Sequence, residues 1–192
     1  MKITSIFRYI RVLLSVTALT FAVTSCIGED DPSDAWSLPL GSEMPQFEVT
    51  LLDGTKVNSA DLAGSTAVIV LFNTSCSDCR AELPVVNDVY KTINAELADK
   101  NRSGTRGTVR FLCIARAEGA ESVTQFWTEN SLILPVSPQP DKAVYSLFAE
   151  SVIPRIMIFS PSGRLTASFA DAPLPSAQTL LAAILNTSDK PL

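Results

Sequence analysis

Two cysteines three positions apart, Cys76 and Cys79, are the residues of this sequence best suited to carry chemistry. They stand in Asn73-Thr74-Ser75-Cys76-Ser77-Asp78-Cys79, directly after the apolar run at residues 67–72. Leu83, Val86, Tyr90, Ile93 and Leu97 follow at helical spacing. A short apolar run rich in β-branched residues predicts a fully buried strand, and the spaced residues predict a helix with one core-facing stripe, carrying Pro84 near its first turns. The pair therefore falls at a strand-to-helix turn. A helix N-terminus offers unpaired N–H groups and the positive end of the dipole, both of which favour a thiolate over a thiol. Cys76, at or just before the first turn, receives that benefit and stays accessible. Cys79, one turn further on, lies within bonding reach but deeper. One sulfur then attacks a substrate disulfide and the other resolves the mixed disulfide.

Composition removes several alternatives. The 192 residues include no histidine and carry a formal net charge of -5. Without histidine the commonest general base and the commonest metal ligand are both missing. A structural zinc site needs four ligands, usually two cysteine pairs or added histidines, and a single pair does not provide them. No metal and no cofactor is expected. The acidic balance, with no stripe of Lys and Arg, argues against a nucleic-acid partner. Cys113 is a further thiol on a predicted buried strand, where a small cysteine behaves as an inert core residue.

The elements that must hold the pair follow in order. Residues 47–52 predict a short strand closed by Asp53-Gly54, with Lys56 and Val57 continuing after the turn. Residues 108–115 alternate, with Val109, Phe111 and Cys113 on one face and Leu112 and Ile114 on the other. Val123, Phe126 and Trp127 mark a second helix, residues 132–136 a short extra strand, and Ala143, Val144, Leu147 and Phe148 a third helix. Residues 155–159 and 165–169 flank Pro161-Ser162-Gly163 as a β-hairpin, and Leu180, Leu181, Ile184 and Leu185 close the chain with a helix. This order predicts an α/β domain, a mixed sheet with helices on both faces, spanning residues 43–187.

The segment Cys76-Ser77-Asp78-Cys79-Arg80-Ala81-Glu82-Leu83-Pro84 resembles the active-site turn of the thioredoxin superfamily, and within it the TlpA-like envelope thiol-disulfide oxidoreductases. Met44-Pro45-Gln46-Phe47, Leu51-Leu52-Asp53-Gly54 and Asp61-Leu62-Ala63-Gly64 resemble that family's N-terminal β extension. Val152-Ile153-Pro154 resembles its cis-proline loop. The resemblance implies a thioredoxin-like fold, a central mixed β-sheet flanked by helices, with Cys76 as attacking thiol and Cys79 as resolving thiol. It implies that Pro154 is cis, and that Ile153 offers backbone hydrogen bonds to a bound peptide. It also places an active-site glutamate at Glu82, where a partly buried carboxyl of raised pKa would move a proton to or from a cysteine; the alternative role is to complement the helix dipole. Three departures stand out. Ser75 replaces the usual tryptophan and makes the surface around Cys76, where substrate docks, more polar. Val70 replaces the buried aspartate of ordinary thioredoxins. Ser77-Asp78 replaces a proline-containing dipeptide, and the Asp78 carboxylate disfavours a nearby thiolate, partly offsetting the helix dipole, which leans the protein towards acting as a reductant.

Residues 1–25 read as a targeting segment. Lys2, Arg8 and Arg11 precede an apolar stretch over 12–23, too short to span a membrane. Val23-Thr24-Ser25-Cys26 resembles the lipobox of bacterial lipoproteins, which implies cleavage before Cys26 and lipid attachment to its sulfur. Residues 26–42, acidic and holding Pro32 and Pro39, read as lipidated Cys26 followed by a flexible tether. Glu29-Asp30-Asp31 resembles the acidic lipoprotein export signals of the Bacteroidota; a solvated linker run is the other reading. The expected protein is thus an envelope enzyme held to the membrane by acyl chains, on the periplasmic side or the outer-membrane surface. It would act on protein disulfides or dithiols and be recharged by an upstream envelope electron donor. Two alternatives stand beside it. One is a catalytically idle thioredoxin-like lipoprotein that binds a partner. The other is a peroxiredoxin-like peroxidase, whose threonine lies three residues before its cysteine, a place that Asn73 fills here.

Overall fold

The computed structural model describes residues 36–98 and 108–187, with side chains of the long helix described through Glu96. The expected targeting segment at 1–25, Cys26, the acidic run at 29–31 and the Leu97 side chain lie outside the described residues.

Seven strands and three α-helices follow one another along the described chain. Strand β1 (Glu48–Thr50) and β2 (Lys56–Asn58) form an antiparallel hairpin, followed by a 3-10 turn (Ser59–Leu62). Then come β3 (Thr66–Phe72), α1 (Ser77–Ala98), β4 (Val109–Ala115), α2 (Ala120–Glu129), β5 (Val136–Ser137), a second 3-10 turn (Tyr145–Leu147), β6 (Arg155–Phe159), β7 (Leu165–Phe169) and α3 (Ala177–Leu185). The main sheet has the order β5-β4-β3-β6-β7. β4 runs parallel to both β3 and β5, whereas β6 is antiparallel to β3 and to β7.

β3 occupies the centre because its sequence leaves no face for water: all seven of its residues are buried. Its alternate side chains feed two cores. Val68, Val70 and Phe72 join Phe111, Cys113 and Ala115 of β4, and the apolar faces of α1, α2 and α3 close over them. Ala67, Ile69 and Leu71 face the other way with Leu112 and Ile114, under the hairpin residues Phe47, Val49 and Val57, the turn residue Leu62, and Tyr145 and Phe148. The three α-helices thus lie on one face of the sheet only, and the face expected to carry another helix is covered by the 3-10 turns and the β extension. Each large side chain so buried contributes about 1.5–3 kcal/mol relative to exposure.

Three expectations need correction. The third helix expected around residues 143–148 is a single 3-10 turn, with Tyr145 and Phe148 buried and Leu147 39% exposed. Pro138, Pro140 and Pro154 bracket too short a stretch for an α-helix to repay its nucleation cost. The strand expected over 132–136 contracts to β5, because Leu132 and Leu134 pack their side chains into the core ahead of any ladder. The tether read as flexible to residue 42 is docked from Trp36 onward. Glu150 N–H donates to Trp36 C=O at 3.0 Å, Leu38 N–H to Phe148 C=O at 2.8 Å, and Gly41 N–H to Leu165 C=O at 2.8 Å. Polar composition hid these bonds because they are made by backbone.

Candidate active site

β3 ends at Phe72, and four residues later the chain has become α1. Cys76 is the helix N-cap: its C=O accepts the first intrahelical bond, from Arg80 N–H at 3.0 Å. An N-cap side chain normally offers an oxygen to the first-turn amides. Here the Cys76 sulfur takes that place, accepting from Cys79 N–H at 3.4 Å. The amide and the helix dipole both act on this sulfur, which is partly exposed and free.

Cys79 sits one turn deeper at 0% exposure. Burial drives its thiol well above the ordinary cysteine range; a side-chain hydrogen bond with Cys76 adds to the rise, a backbone hydrogen bond from Asn73 opposes it, and the Asp78 carboxylate pushes further upward. Asp78 thus acts in the direction its charge implies. Two thiols of unlike surroundings result, the outer one available and the inner one held as S–H.

The opposite wall of the site is the loop before β6. The Ile153–Pro154 peptide is cis, as the resemblance implied. Ile153 C=O lies 3.6 Å from the Cys76 sulfur, so thiol and loop face each other directly. Tyr145 Oη donates to Val152 C=O at 3.1 Å, and the Arg116 guanidinium donates to Ser151 C=O while lying 5.0 Å from the centre of the Tyr145 ring. Burial raises the Tyr145 phenol, which keeps it a donor.

Glu82 is 2% exposed, and its Oε1 is buried with no hydrogen-bond partner. Burial alone raises its pKa to about 7. A carboxyl in that range holds a proton through part of the neutral region and gives it up through the rest. A solvated first-turn glutamate serving only the helix dipole would have no such shift. Ser75 is exposed, and its Oγ donates to Asn73 Oδ1 at 2.5 Å. Cys113 is 0% exposed in the middle of β4, opposite Val70, and burial pushes its thiol far up. Of the residues expected at the site, the fold therefore brings Ser75, Cys76, Cys79, Ile153 and Pro154 to the end of β3. Glu82 lies inside α1, and Cys26 is outside the described residues. No cluster of three or more metal-ligating side chains occurs among the described residues.

Sequence reasoning missed the polar frame around the pair. Asn73 Oδ1 accepts from Ser75 N–H at 2.8 Å, and Asn73 Nδ2 donates to Arg116 C=O at 2.9 Å. Glu118 accepts from both Thr74 N–H and Thr74 Oγ1. The only signal of this frame in the sequence was topological: the ends of two adjacent parallel strands must lie side by side.

A central β3 ending in a helix-capping cysteine, a second cysteine one turn below and a cis-proline loop opposite define a thioredoxin-fold thiol-disulfide oxidoreductase. The chain belongs to the AhpC/TSA family, whose sequence profile matches residues 40–168. Among its relatives is the thiol-disulfide oxidoreductase ResA of Oceanobacillus iheyensis, 27% identical over 165 residues that cover 83% of this chain and 78% of that one. ResA of Bacillus subtilis is 22% identical over 67% of this chain and 66% of its own. A putative protein disulfide isomerase from Bacteroides thetaiotaomicron shares the fold at a TM-score of 0.69, with 19% identity, covering 81% of this chain and 94% of the other. A thiol:disulfide interchange protein from Chlorobium tepidum does so at 0.60, with 22% identity over 79% and 99%.

Proposed function

We propose that the protein is an envelope reductant of protein disulfides, lipid-anchored through Cys26 and recharged by an upstream electron donor. The observation that carries the redox chemistry is the Cys76 sulfur, reachable from solvent and capping α1 while Cys79 N–H donates to it at 3.4 Å. In the first step the Cys76 thiolate attacks one sulfur of a substrate disulfide, forming a mixed disulfide and expelling the other substrate sulfur as a thiolate. In the second, Cys79 gives up its proton and attacks the Cys76 sulfur; the mixed bond breaks and the second substrate thiolate leaves. Two electrons pass to the substrate, whose two thiolates take up the proton released by Cys79 and one from solvent, and the enzyme is left with a Cys76–Cys79 disulfide.

The high thiol pKa of Cys79, set by burial and helped by Asp78, supports the reducing direction, because a couple whose thiols resist ionisation favours its disulfide form. Glu82 is the group we assign to the proton that Cys79 must lose and later regain. Ile153 and Pro154 form the wall on which an extended substrate strand would lie, its backbone paired with Ile153, and exposed Ser75 borders that surface. Asn73 stands where a peroxidase would place its threonine, and the hydroxyl of the neighbouring Thr74 is spent on Glu118, which counts against a peroxidase. Residues 1–35 supply the envelope and lipid-anchor part of the reading, from sequence alone.

The test is a reduction potential for Cys76–Cys79 with insulin-disulfide reduction by wild type and Cys76→Ser. A potential near or below that of the glutathione pool, with activity lost in the variant, is the expected result. Equal activity in Cys76→Ser, or a Cys76 that reacts with a thiol probe no faster than free cysteine, leaves only the partner-binding module. Radiolabelled palmitate incorporation that disappears in Cys26→Ala tests the anchor.

A further inference from the structure

The loop that presents Cys76 is gripped by the loop at the end of the neighbouring strand, and the grip converges on Thr74, two residues before the sulfur. Glu118 Oε2 accepts from Thr74 N–H at 2.8 Å, and Glu118 Oε1 accepts from the Thr74 hydroxyl. From the other side Arg80 Nη1 donates to Thr74 C=O at 3.2 Å, its guanidinium seated 5.0 Å above the Phe126 ring. Every polar group of Thr74, itself 9% exposed, is therefore spoken for by charged side chains from β4–α2 and α1. Each oxygen of the carboxylate takes one of the two donors, and a carboxylate binds them more strongly than a neutral acceptor.

Glu118 is itself mounted on a braced turn. Ala117 adopts a left-handed backbone at φ 53°, unusual for a residue with a Cβ. The kink lets both of its neighbours address the same loop: Arg116 C=O accepts Asn73 Nδ2 at 2.9 Å, and Glu118 reaches Thr74. Backbone bonds from Glu118 N–H to Gln139 C=O at 2.6 Å and from Ala117 N–H to Asp141 C=O at 2.9 Å hold the turn in place. Strained backbone of this kind persists where surrounding contacts over-determine it, and such places cluster at working sites.

We infer that Glu118 is a positioning residue of the thiol-disulfide reaction: through Thr74 it holds Cys76 over Cys79 and so sets the effective concentration of one sulfur at the other. This rests on the dithiol exchange proposed above, and specifically on its second step, in which Cys79 attacks the Cys76 sulfur of the mixed disulfide and displaces the substrate thiolate. Cys79 is fixed by the core, whereas Cys76 is held by the first turn of α1 on one side and by the loop on the other. Releasing Thr74 loosens the loop side of Cys76 and leaves Cys79 where it was, and intramolecular bond formation loses part of the advantage of alignment.

The experiment equilibrates the full chain with glutathione redox buffers and quantifies three species by mass: the dithiol, the Cys76–Cys79 disulfide and the Cys76–glutathione mixed disulfide. In Glu118→Ala the effective concentration falls about tenfold, roughly the worth of one charge-assisted hydrogen bond; the mixed disulfide rises in proportion, and the potential becomes less negative by about 30 mV. Glu118→Gln keeps one acceptor oxygen and gives a loss of about threefold. Thr74→Val adds less in the Glu118→Ala background than it costs alone, because both remove the same bond. A residue that only supported the fold would lower the melting temperature and leave the three-species equilibrium untouched well below it. Folded Glu118→Gln with wild-type proportions, or additive Thr74→Val and Glu118→Ala effects, overturns the assignment; should Glu118→Ala not fold, the Gln variant decides. A wild-type chain that never forms the Cys76–Cys79 disulfide refutes the exchange itself, and the positioning role with it.

Discussion

Glu82→Gln should stabilise the reduced protein, and only above a definite pH. The wild-type carboxyl rises from 4.5 to about 7 on folding because it is buried. The native state then binds the proton more tightly than the unfolded chain, so between those two values the folded form holds the larger share of protons. Stability from this group is full below about pH 4.5, declines as pH rises and levels off above about 7. At 1.36 kcal/mol per pH unit the decline amounts to about 3 kcal/mol. Glutamine has the same shape and never ionises, so it escapes the decline. The difference between variant and wild type should be small near pH 4.5 and approach about 3 kcal/mol in favour of glutamine at pH 8. Urea unfolding under a thiol reductant at half-unit pH steps measures it, and subtraction of the two curves cancels every other titrating group. A difference that is flat with pH, or one that favours the wild type at pH 8, refutes the buried-carboxyl account. The same variant should be slower in insulin-disulfide reduction, so that stability and turnover move in opposite directions.

Other outcomes follow from the same geometry. Cys79→Ser should arrest the reaction after its first step and accumulate substrate on Cys76 as a mixed disulfide, visible on non-reducing gels; clean turnover would remove Cys79 from the mechanism. In the native state iodoacetamide should label Cys76 within minutes and spare Cys113, while denaturant should expose both. Cys113→Ser should cost about 1–3 kcal/mol, since its hydroxyl would enter an apolar core, with insulin reduction retained per folded molecule. Deleting residues 36–42 should lower the unfolding midpoint, because Leu38 leaves the core under the β1–β2 hairpin and Phe148 and Leu165 lose backbone partners; an unchanged midpoint would mean the segment is merely laid on the surface.

Much of this molecule was readable from residue order, and the reasons differ by element. The run of residues 67–72 has no polar side chain, so only a strand covered on both faces can hold it. The alternation of Phe111 and Cys113 with Leu112 and Ile114 is enough by itself to assign each to its face. The cysteine pair declares itself through its spacing and its place between these elements. Around residues 143–148 the pattern failed because four apolar positions at helical spacing also fit one 3-10 turn, and prolines decided the matter. Residues 36–42 failed for another reason: their anchorage is through N–H and C=O groups, which every residue carries. The frame of Thr74 and Glu118 spans 44 positions of sequence, and nothing local announces it.

β3 is flanked by strands on both edges and sealed on both faces. In hydrogen exchange its amides should be among the last to yield, opening only with the whole molecule. The reactive sulfur is thus moored, four residues on, to the stiffest part of the structure. A client protein joined to Cys76 can tug, unfold or refold without dragging the enzyme open, because the load passes straight into that buried strand.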